Sequence, residues 1–105
     1  MKFYLKKDVN WRYFFILLSR NGQTVGVSES YNTRAGALRG IAACRRAALR
    51  PGAMQFFVDA NGQHRFRLRA RNGRILLASE GYLRTRACKR TAARIMVGLP
   101  GARSP

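Results

Sequence analysis

Residues 64–70 carry the densest row of charged groups in the chain, written His-Arg-Phe-Arg-Leu-Arg-Ala and followed by Arg71. Side chains of a β-strand alternate between its two faces, so this pattern predicts a strand whose Phe66, Leu68 and Ala70 face a core. The other face then carries a row of arginines, here called the arginine ladder: Arg65, Arg67, Arg69 and Arg71. Neighbouring members lie ~6.8 Å apart, from a rise of ~3.4 Å per residue. Guanidinium groups form paired hydrogen bonds to phosphate, so the ladder predicts contact with a phosphate backbone.

Further arginines lie close to the ladder in the sequence or on the predicted helices. Arg74 begins the next predicted strand and would widen the patch. The second predicted helix carries a basic stripe at i, i+4 and i+8: Arg86, Arg90 and Arg94. No glutamate balances this stripe, as it would on an ordinary solvated helix face. Two alternatives stay open: the arginines protect a sheet edge, or they form a solvated surface that binds nothing.

The net charge is +17, from 21 Lys+Arg against 4 Asp+Glu in 105 residues. Residues 1–53 hold ten basic and two acidic residues and residues 54–105 hold eleven and two, so the charge belongs to the whole chain. Such an excess repels itself in a compact state and predicts a polyanionic partner. Nucleic acid, either DNA or RNA, is the leading candidate. Low sequence preference is expected, because phosphate contacts carry no sequence information.

Catalytic and metal-binding patterns are weak. His64 is the only histidine, and Glu29 and Glu80 each belong to a Ser-Glu-x-Tyr segment where a role in local hydrogen bonding is expected. Cys44 and Cys88 lack metal-ligand spacing and fall on apolar helix faces, which is typical of small core residues. No Gly-rich phosphate loop leads into a helix. The sequence therefore predicts a protein that is not an enzyme, with no cofactor and no metal site.

The strands and helices that position these residues belong to an internal sequence repeat. Residues 20–31 recur 51 positions later as residues 71–82, with Asn-Gly turns and the Ser-Glu-x-Tyr segment aligned. Such a repeat marks one structural unit used twice, and Asn-Gly is a strong hairpin signal. The predicted repeats are residues 1–50 and residues 54–97 of one domain, followed by a flexible tail over residues 98–105. The first hairpin of repeat one is expected to be about two residues longer than its counterpart.

Each repeat reads as three strands and a helix. The predicted strands cover residues 2–7, 11–19, 23–30, 54–59, 64–70 and 74–80. The helices are expected to begin at N-caps Thr33 and Thr85, and each carries an apolar stripe at i, i+4, i+7 and i+11. The stripes are Ala37, Ile41, Cys44 and Ala48, and Cys88, Ala92, Ile95 and Leu99. The predicted fold is α+β: tandem β-β-β-α units form one mostly antiparallel sheet with two helices on one face. A pseudo-two-fold axis relates the units, and the strand at 54–59 links them.

In repeat one, the positions equivalent to the ladder are Phe14, Ile16, Leu18 and Arg20. The first three are apolar and are here called the apolar row. The alternate residues Phe15 and Leu17 are apolar too, and a strand that is apolar on both faces must be covered on both or present an interaction site. With Trp11 beside it, the row predicts a protein interface, including a weak homodimer. Coverage by the first hairpin or the tail, and stacking on unpaired bases, are the alternatives. The apolar run of residues 14–18 is too short to span a membrane, and a cytoplasmic location is expected.

The run Asn61-Gly62-Gln63-His64-Arg65-Phe66-Arg67-Leu68-Arg69-Ala70-Arg71-Asn72-Gly73, followed by Ile75 and Ser79-Glu80-Gly81-Tyr82, resembles the YegP-like family of small bacterial proteins. Repeat one keeps part of the same pattern. The resemblance implies repeated β-β-β-α-β units that share one antiparallel sheet and exchange their C-terminal strands. It implies no activity, because the function of the family is unassigned. Here the charge is more basic, and no clear strand follows the second helix.

Two hypotheses follow for the function. The first is a non-catalytic module that binds nucleic acid through the ladder and the helix arginines. The second is a protein-interaction module, such as an inhibitor or adaptor of an acidic or nucleic-acid-handling partner, with a mobile element as a candidate source. The ladder favours the first hypothesis and the apolar row favours the second.

Overall fold

The computed structural model describes all 105 residues and contains one six-stranded sheet and two long helices. The elements, in chain order, are β1 (Lys2–Lys7), β2 (Tyr13–Leu18), β3 (Thr24–Val27), α1 (Arg34–Ala47), β4 (Met54–Val58), β5 (His64–Arg69), β6 (Ile75–Ala78), α2 (Thr85–Gly98) and a short 3-10 turn (Leu99–Gly101). The strand order is β1-β2-β3-β6-β5-β4, and every neighbouring pair of these strands is antiparallel. The α+β fold predicted from the sequence is confirmed.

The core lies between one face of the sheet and both helices. In β2 the inward residues Phe15 and Leu17 are fully buried, and in β5 Phe66 and Leu68 are fully buried. All eight residues of the two predicted helix stripes are buried as well, and they belong to the same core cluster as the inward strand residues. Because the two helices share this core, both cover the same face of the sheet, and the other face has no helix on it.

The two helices begin differently. Thr33 caps α1 as expected, since its hydroxyl accepts a hydrogen bond from the Gly36 amide at 2.9 Å. The predicted N-cap Thr85 is wrong: Arg84 occupies that position in α2, without a side-chain cap. Thr85 is the first helical residue, and its hydroxyl lies 3.0 Å from Nδ1 of His64.

The repeat holds its offset of 51 residues through the first hairpins too, so the longer hairpin expected in repeat one is wrong. Asp8 Oδ1 accepts the backbone N–H groups of Asn10 and Arg12. In the same way, Asp59 Oδ1 accepts those of residues 61 and 63. The backbone bond from Arg12 is the main cause that lowers the pKa of Asp8 below its usual range. The pKa of Asp59 is lowered mainly by the hydrogen bond from Arg65 and then by its local backbone bonds. The expected difference arose because only the second loop shows Asn-Gly.

The repeats join at the centre of the sheet, where Val27 of β3 pairs with Ala78 of β6. These two residues are 51 positions apart, so the pseudo-two-fold axis passes between them. The expectation that residues 54–59 link the repeats is therefore wrong, because β4 lies at an edge of the sheet. At the junction, Leu77 fills the space beside Gly26: a Cβ added to Gly26 would lie 2.5 Å from Cγ of Leu77.

The C-terminal residues, expected to form a flexible tail, are part of the fold as far as Arg103. Leu99 is fully buried and Ala102 is 5% exposed. Arg103 forms a parallel bridge with Lys2, and its carbonyl accepts the Phe3 amide at 2.9 Å. Arg45 of α1 donates to the Ala102 carbonyl at 2.6 Å. The segment after α2 thus joins the edge strand of repeat one, which is the exchange that the family resemblance implied.

The serines of the Ser-Glu-x-Tyr segments hold the strand ends in place. The buried Ser28 hydroxyl accepts the Phe15 amide at 2.9 Å and donates to the Glu29 carbonyl at 2.8 Å. Ser79 makes the same pair of bonds, to the amide of residue 66 and the carbonyl of residue 80. Each hydroxyl therefore bridges the irregular end of a strand. The glutamates contribute only their backbone carbonyl groups to these bonds.

Replacing Ser28 by alanine is expected to destabilise the protein by about 1–3 kcal/mol, because the buried Phe15 N–H would lose its acceptor. Ser79→Ala should cost a similar amount. Urea unfolding measured by circular dichroism tests both variants, with the part-exposed Ser30→Ala as the control. A loss below ~0.5 kcal/mol at both buried serines would show that the bridge contributes little.

Candidate functional site

The face of the sheet without helices, called the open face, collects side chains from all six strands. In β2 the open face carries the apolar row, whose residues pair with Lys6, Tyr4 and Lys2 of β1. In the centre it carries Val27 and Ala78. In β4 and β5 it carries Gln55 and Phe57 beside the arginines. Both groups of residues singled out in the sequence therefore lie on one surface.

The ladder consists of three strand residues rather than four. Arg65 and Arg67 pair with Phe57 and Gln55, and Arg69 pairs with Ile75 across a register shift. Arg71 lies beyond the end of β5, in the turn that leads to β6, and is exposed. Side chains alternate between the two faces as predicted up to Arg69, where β5 ends, and the prediction fails at Arg71.

The three ladder arginines differ in how they are held. Arg65 donates from Nε to Asp59 at 2.5 Å, which is the one ion pair in the structure, and from Nη1 to the Ser79 carbonyl at 3.2 Å. Arg69 donates to Gln55 Oε1 at 2.7 Å and to the carbonyl of residue 73 at 2.6 Å. The Arg67 guanidinium lies 4.1 Å from the ring centre of Phe57 and has no acceptor within the protein. The N–H groups of Arg67 are thus unpaired within the protein, while the other two arginines are oriented by neighbours.

The apolar row is half-buried and is bordered by cations on both sides. Phe14, Ile16 and Leu18 are partly buried beside their neighbours in the sheet, and the C-terminal segment pairs with Lys2 at the edge of the sheet. Three strand spacings of ~4.8 Å separate β2 from β5, which places the row ~14 Å from the ladder. On the other side, Lys2 and Lys6 flank Tyr4, which is 41% exposed. Sequence reasoning missed these β1 residues, although the alternation of Lys2-Phe3-Tyr4-Leu5-Lys6 contains the signal.

Several predicted site residues lie elsewhere. Arg74 does not widen the ladder: its guanidinium lies 4.6 Å from the ring centre of Tyr31, on the helix side. The basic stripe of α2 is exposed and consists of Arg86, Arg90 and Arg94. Because α2 covers the opposite face of the sheet, one flat ligand cannot contact both this stripe and the ladder. Short-range spacing placed the α2 arginines on the correct helix but could not show on which side of the sheet that helix lies, and Arg74 precedes β6 rather than beginning it.

Trp11 does not extend the apolar row either. Nζ of Lys7 lies 5.1 Å from the ring centres of both Trp11 and Tyr13, and Tyr13 packs against the helix-side core. Trp11 is 76% exposed and adopts φ 61°, where its counterpart Gly62 has φ 76°. A bulky residue in this left-handed region is uncommon and strained. The tryptophan is thus an exposed aromatic group held at a cost in backbone energy.

The cysteines are core residues. Both are free and buried, and burial raises the pKa of the Cys44 thiol to about 12. Burial also raises the pKa of Cys88. No group of three or more His, Cys, Asp or Glu side chains is arranged to hold a metal ion. No helix has the length and apolar character needed to cross a bilayer.

The fold and the repeated motifs define a class of protein, namely a tandem-repeat α+β protein with one antiparallel sheet and a helix in each repeat. The chain belongs to the family described as "Domain of unknown function (DUF1508)", whose model matches residues 8–51 and residues 59–103. Each match covers one repeat. The resemblance to the YegP-like family is confirmed.

Curated relatives are described as UPF0339 proteins. A UPF0339 protein of Pseudomonas aeruginosa is 36% identical over 81 residues, which cover 77% of this chain and 74% of that protein. The UPF0339 protein YegP of Escherichia coli K12 is 31% identical over 80 residues, covering 76% and 73%. A UPF0339 protein of Methanosarcina acetivorans is 39% identical over 49 residues, covering 47% of this chain but 84% of that one. About one repeat therefore accounts for most of the archaeal protein.

Two solution NMR structures share the fold. A UPF0339 protein of Shewanella oneidensis superposes with a TM-score of 0.91 at 25% identity, over 98% of this chain and 87% of that one. E. coli YegP, described as a protein of unknown function, gives a TM-score of 0.90 at 25% identity, over 98% and 89%. The architecture is thus common to the family, and no function is attached to it.

Proposed function

We propose that this protein is a non-catalytic, cytoplasmic module that binds single-stranded nucleic acid across the open face. The ladder contacts phosphates, and the aromatic and apolar side chains of the sheet pack against bases. Low sequence preference is expected, because most of the contacts would be made to the phosphate backbone.

The observation that carries the proposal is the unbalanced charge of the open face. Five cationic side chains border it: Lys2, Lys6, Arg65, Arg67 and Arg69. Asp59 is the only carboxylate that pairs with any of them. A polyanion would relieve the mutual repulsion of these groups and release its own counterions, which favours binding at low salt.

A single strand suits this surface better than a duplex. The space between the two cationic borders is apolar and aromatic, and unpaired bases offer flat apolar surfaces to such a platform. A duplex would present only phosphates at this range and would leave the apolar row in contact with a charged backbone. Tyr4 and Phe57 lie on the two flanks, where stacking would accompany the phosphate contacts.

Fluorescence anisotropy with a labelled 20-nucleotide single strand and the matching duplex, as DNA and as RNA, tests the proposal. At 50 mM salt, micromolar or tighter binding to the single strand is expected, with weaker binding to the duplex. Affinity should fall steeply as salt rises to 200 mM. The absence of binding at 50 mM salt, or a clear preference for the duplex, would contradict the proposal.

A second candidate, a protein-interaction module, is favoured by the apolar row itself. Val27 is 37% exposed beside the half-buried Ile16, and contiguous apolar surface commonly marks an interaction site. In a symmetric dimer, each open face would meet its copy. The cationic borders would then repel each other, so dimerisation should be weak and should strengthen with salt.

Ile16→Glu tests this candidate, because a carboxylate in the middle of the row would be desolvated in any apolar interface. We expect the variant to remain folded and to lose any dimer that the unmodified protein forms at high salt. Sedimentation equilibrium at 50 mM and 500 mM salt provides the measurement, with Val97→Glu on the exposed side of α2 as the control. A strict monomer under all conditions would exclude the homodimer.

A further inference from the structure

A second cationic region lies on the helix side of the sheet, in a cleft of about 470 Å³ between the two repeats. Four arginines line this cleft, here called the cationic cleft: Arg12, Arg39, Arg46 and Arg74. Arg39 and Arg46 come from α1, whose first turn reaches the cleft at Gly36. Arg74 comes from the hairpin of repeat two, so the site forms only when both repeats are in place.

No carboxylate lines the cationic cleft. Glu29 directly precedes the lining residue Ser30 but does not itself line the cleft. Asp8 is engaged by the amides of Asn10 and Arg12 and by the Ser30 hydroxyl. The α1 terminus has no acidic residue in its first turn, so its positive dipole end is uncompensated as well. The four guanidinium groups therefore have no anionic partner within the protein.

Comparison with the other repeat shows which arginines are particular to this cleft. At an offset of 51 residues, the positions of Arg12, Arg46 and Arg74 are taken by Gln63, Val97 and Gln23. Only Arg39 has a basic counterpart, Arg90. Across the whole lining of the cleft, the related positions of the other repeat carry three arginines, Arg84, Arg90 and Arg94. Those three come from α2 and its N-cap position, whereas the four arginines of the cleft come from both repeats.

Tyr31 lines the cleft and also carries an unsatisfied polar group. Tyr31 is 7% exposed, and its buried hydroxyl has no hydrogen-bond partner. The ring reaches this position because Gly40 has no side chain, since an added Cβ would collide with the hydroxyl. The counterpart of Gly40 is Thr91. An unpaired buried hydroxyl is uncommon, and this one is shielded from solvent, so it offers no direct contact to a ligand in the cleft.

We propose that the cationic cleft binds a small anion built from linked phosphate groups. Four guanidinium groups match several phosphate charges, because each can form paired hydrogen bonds to phosphate oxygens. The volume is within the range of small-ligand sites. Such a chain of phosphates can be inorganic or can belong to a nucleotide, and both sources share the chemistry that the arginines recognise. This site lies on the opposite side of the sheet from the open face and is independent of the function proposed for it.

Isothermal titration calorimetry with sodium tripolyphosphate, and separately with ATP, tests this proposal at 50 mM salt. Saturable binding to one site is expected for at least one of them. Arg39→Gln and Arg74→Gln should each weaken that binding about tenfold, from the loss of a charge-assisted bond. Arg90→Gln removes the same charge from the related position of α2 and should change affinity less than twofold. Arg46→Gln, an exposed helix residue, gives a second variant that should fold normally.

Equal affinities would assign recognition to the phosphate chain, and tighter ATP binding would assign it to a nucleotide; both results support the site. Equal losses in Arg90→Gln and Arg39→Gln would overturn it, because they would show a diffuse charge effect. The absence of saturable binding by either anion would also overturn it. Oligonucleotide binding should be no weaker in Arg39→Gln than in Arg90→Gln, so a loss confined to Arg39→Gln would assign the arginines to nucleic acid instead.

Discussion

Replacing Arg67 and Arg69 together by glutamine is expected to weaken binding of a 20-nucleotide single strand by about a hundredfold or more. Each guanidinium is proposed to contact a phosphate, and charge-assisted hydrogen bonds contribute about 1.5 kcal/mol or more each. The dependence of affinity on salt should change with them. Loss of two phosphate contacts lowers the slope of log K against log salt by about 1.4 for a single strand.

The matched control is Arg86→Gln with Arg90→Gln, which removes two positive charges from α2 on the other side of the sheet. Its affinity should fall by less than threefold, with little change in slope. Arg69 also bonds Gln55 within the sheet, so its replacement could affect stability. Thermal unfolding therefore checks that both double variants are folded, which is the expected result. If both double variants weaken binding equally, binding depends on the net charge of the protein and not on the open face.

Gly26→Leu is expected to destabilise the protein by about 3 kcal/mol or more, a large part of the stability of a small domain. Gly26 stands in the central strand β3, where the side chain of Leu77 already fills the adjoining space. Because leucine is the natural counterpart at the related position, an exact repeat would place two leucines in a space that holds one. Urea unfolding followed by circular dichroism measures the loss.

The exchange variant, Gly26→Leu with Leu77→Gly, provides the decisive comparison. Both single changes should destabilise, the second by leaving a cavity. In the double variant, leucine enters the same space from the other strand. Its loss of unfolding free energy should therefore be smaller than the summed losses of the two single variants by at least about 2 kcal/mol. Additive losses would show that these residues do not share one space at the repeat junction.

The fold could be predicted from the sequence where the pattern is local. The alternation of β5 gave both its buried face and its cationic face, and the two helix stripes gave the core contacts of α1 and α2. The position of β4 was predicted wrongly, because the order of strands depends on pairing between distant segments, which no local periodicity records. The docking of residues 100–103 was missed because it depends on pairing with β1 and on a hydrogen bond from Arg45, both distant in the sequence.

The candidate site was predictable in part for the same reason. Arg65, Arg67 and Ile16 were assigned correctly to faces of their strands, and the sheet then brought those faces together. Arg74 was assigned to the wrong surface, because a register shift near the end of β5 precedes it. The cationic cleft could not be found from spacing, since its arginines come from three separate segments of the chain.

The most direct test of the proposed function is to map which face of the sheet meets a single strand. NMR titration of the labelled protein with a 12-nucleotide single strand should shift or broaden the Nε–H signal of Arg67 and the methyl signals of Ile16 and Leu18. The methyl signals of Val97 and the Nε–H signals of Arg86 and Arg90 should stay in place, because they lie on the helix side. Shifts confined to the helix side, with Ile16 and Arg67 unchanged, would contradict the proposal that the open face binds nucleic acid.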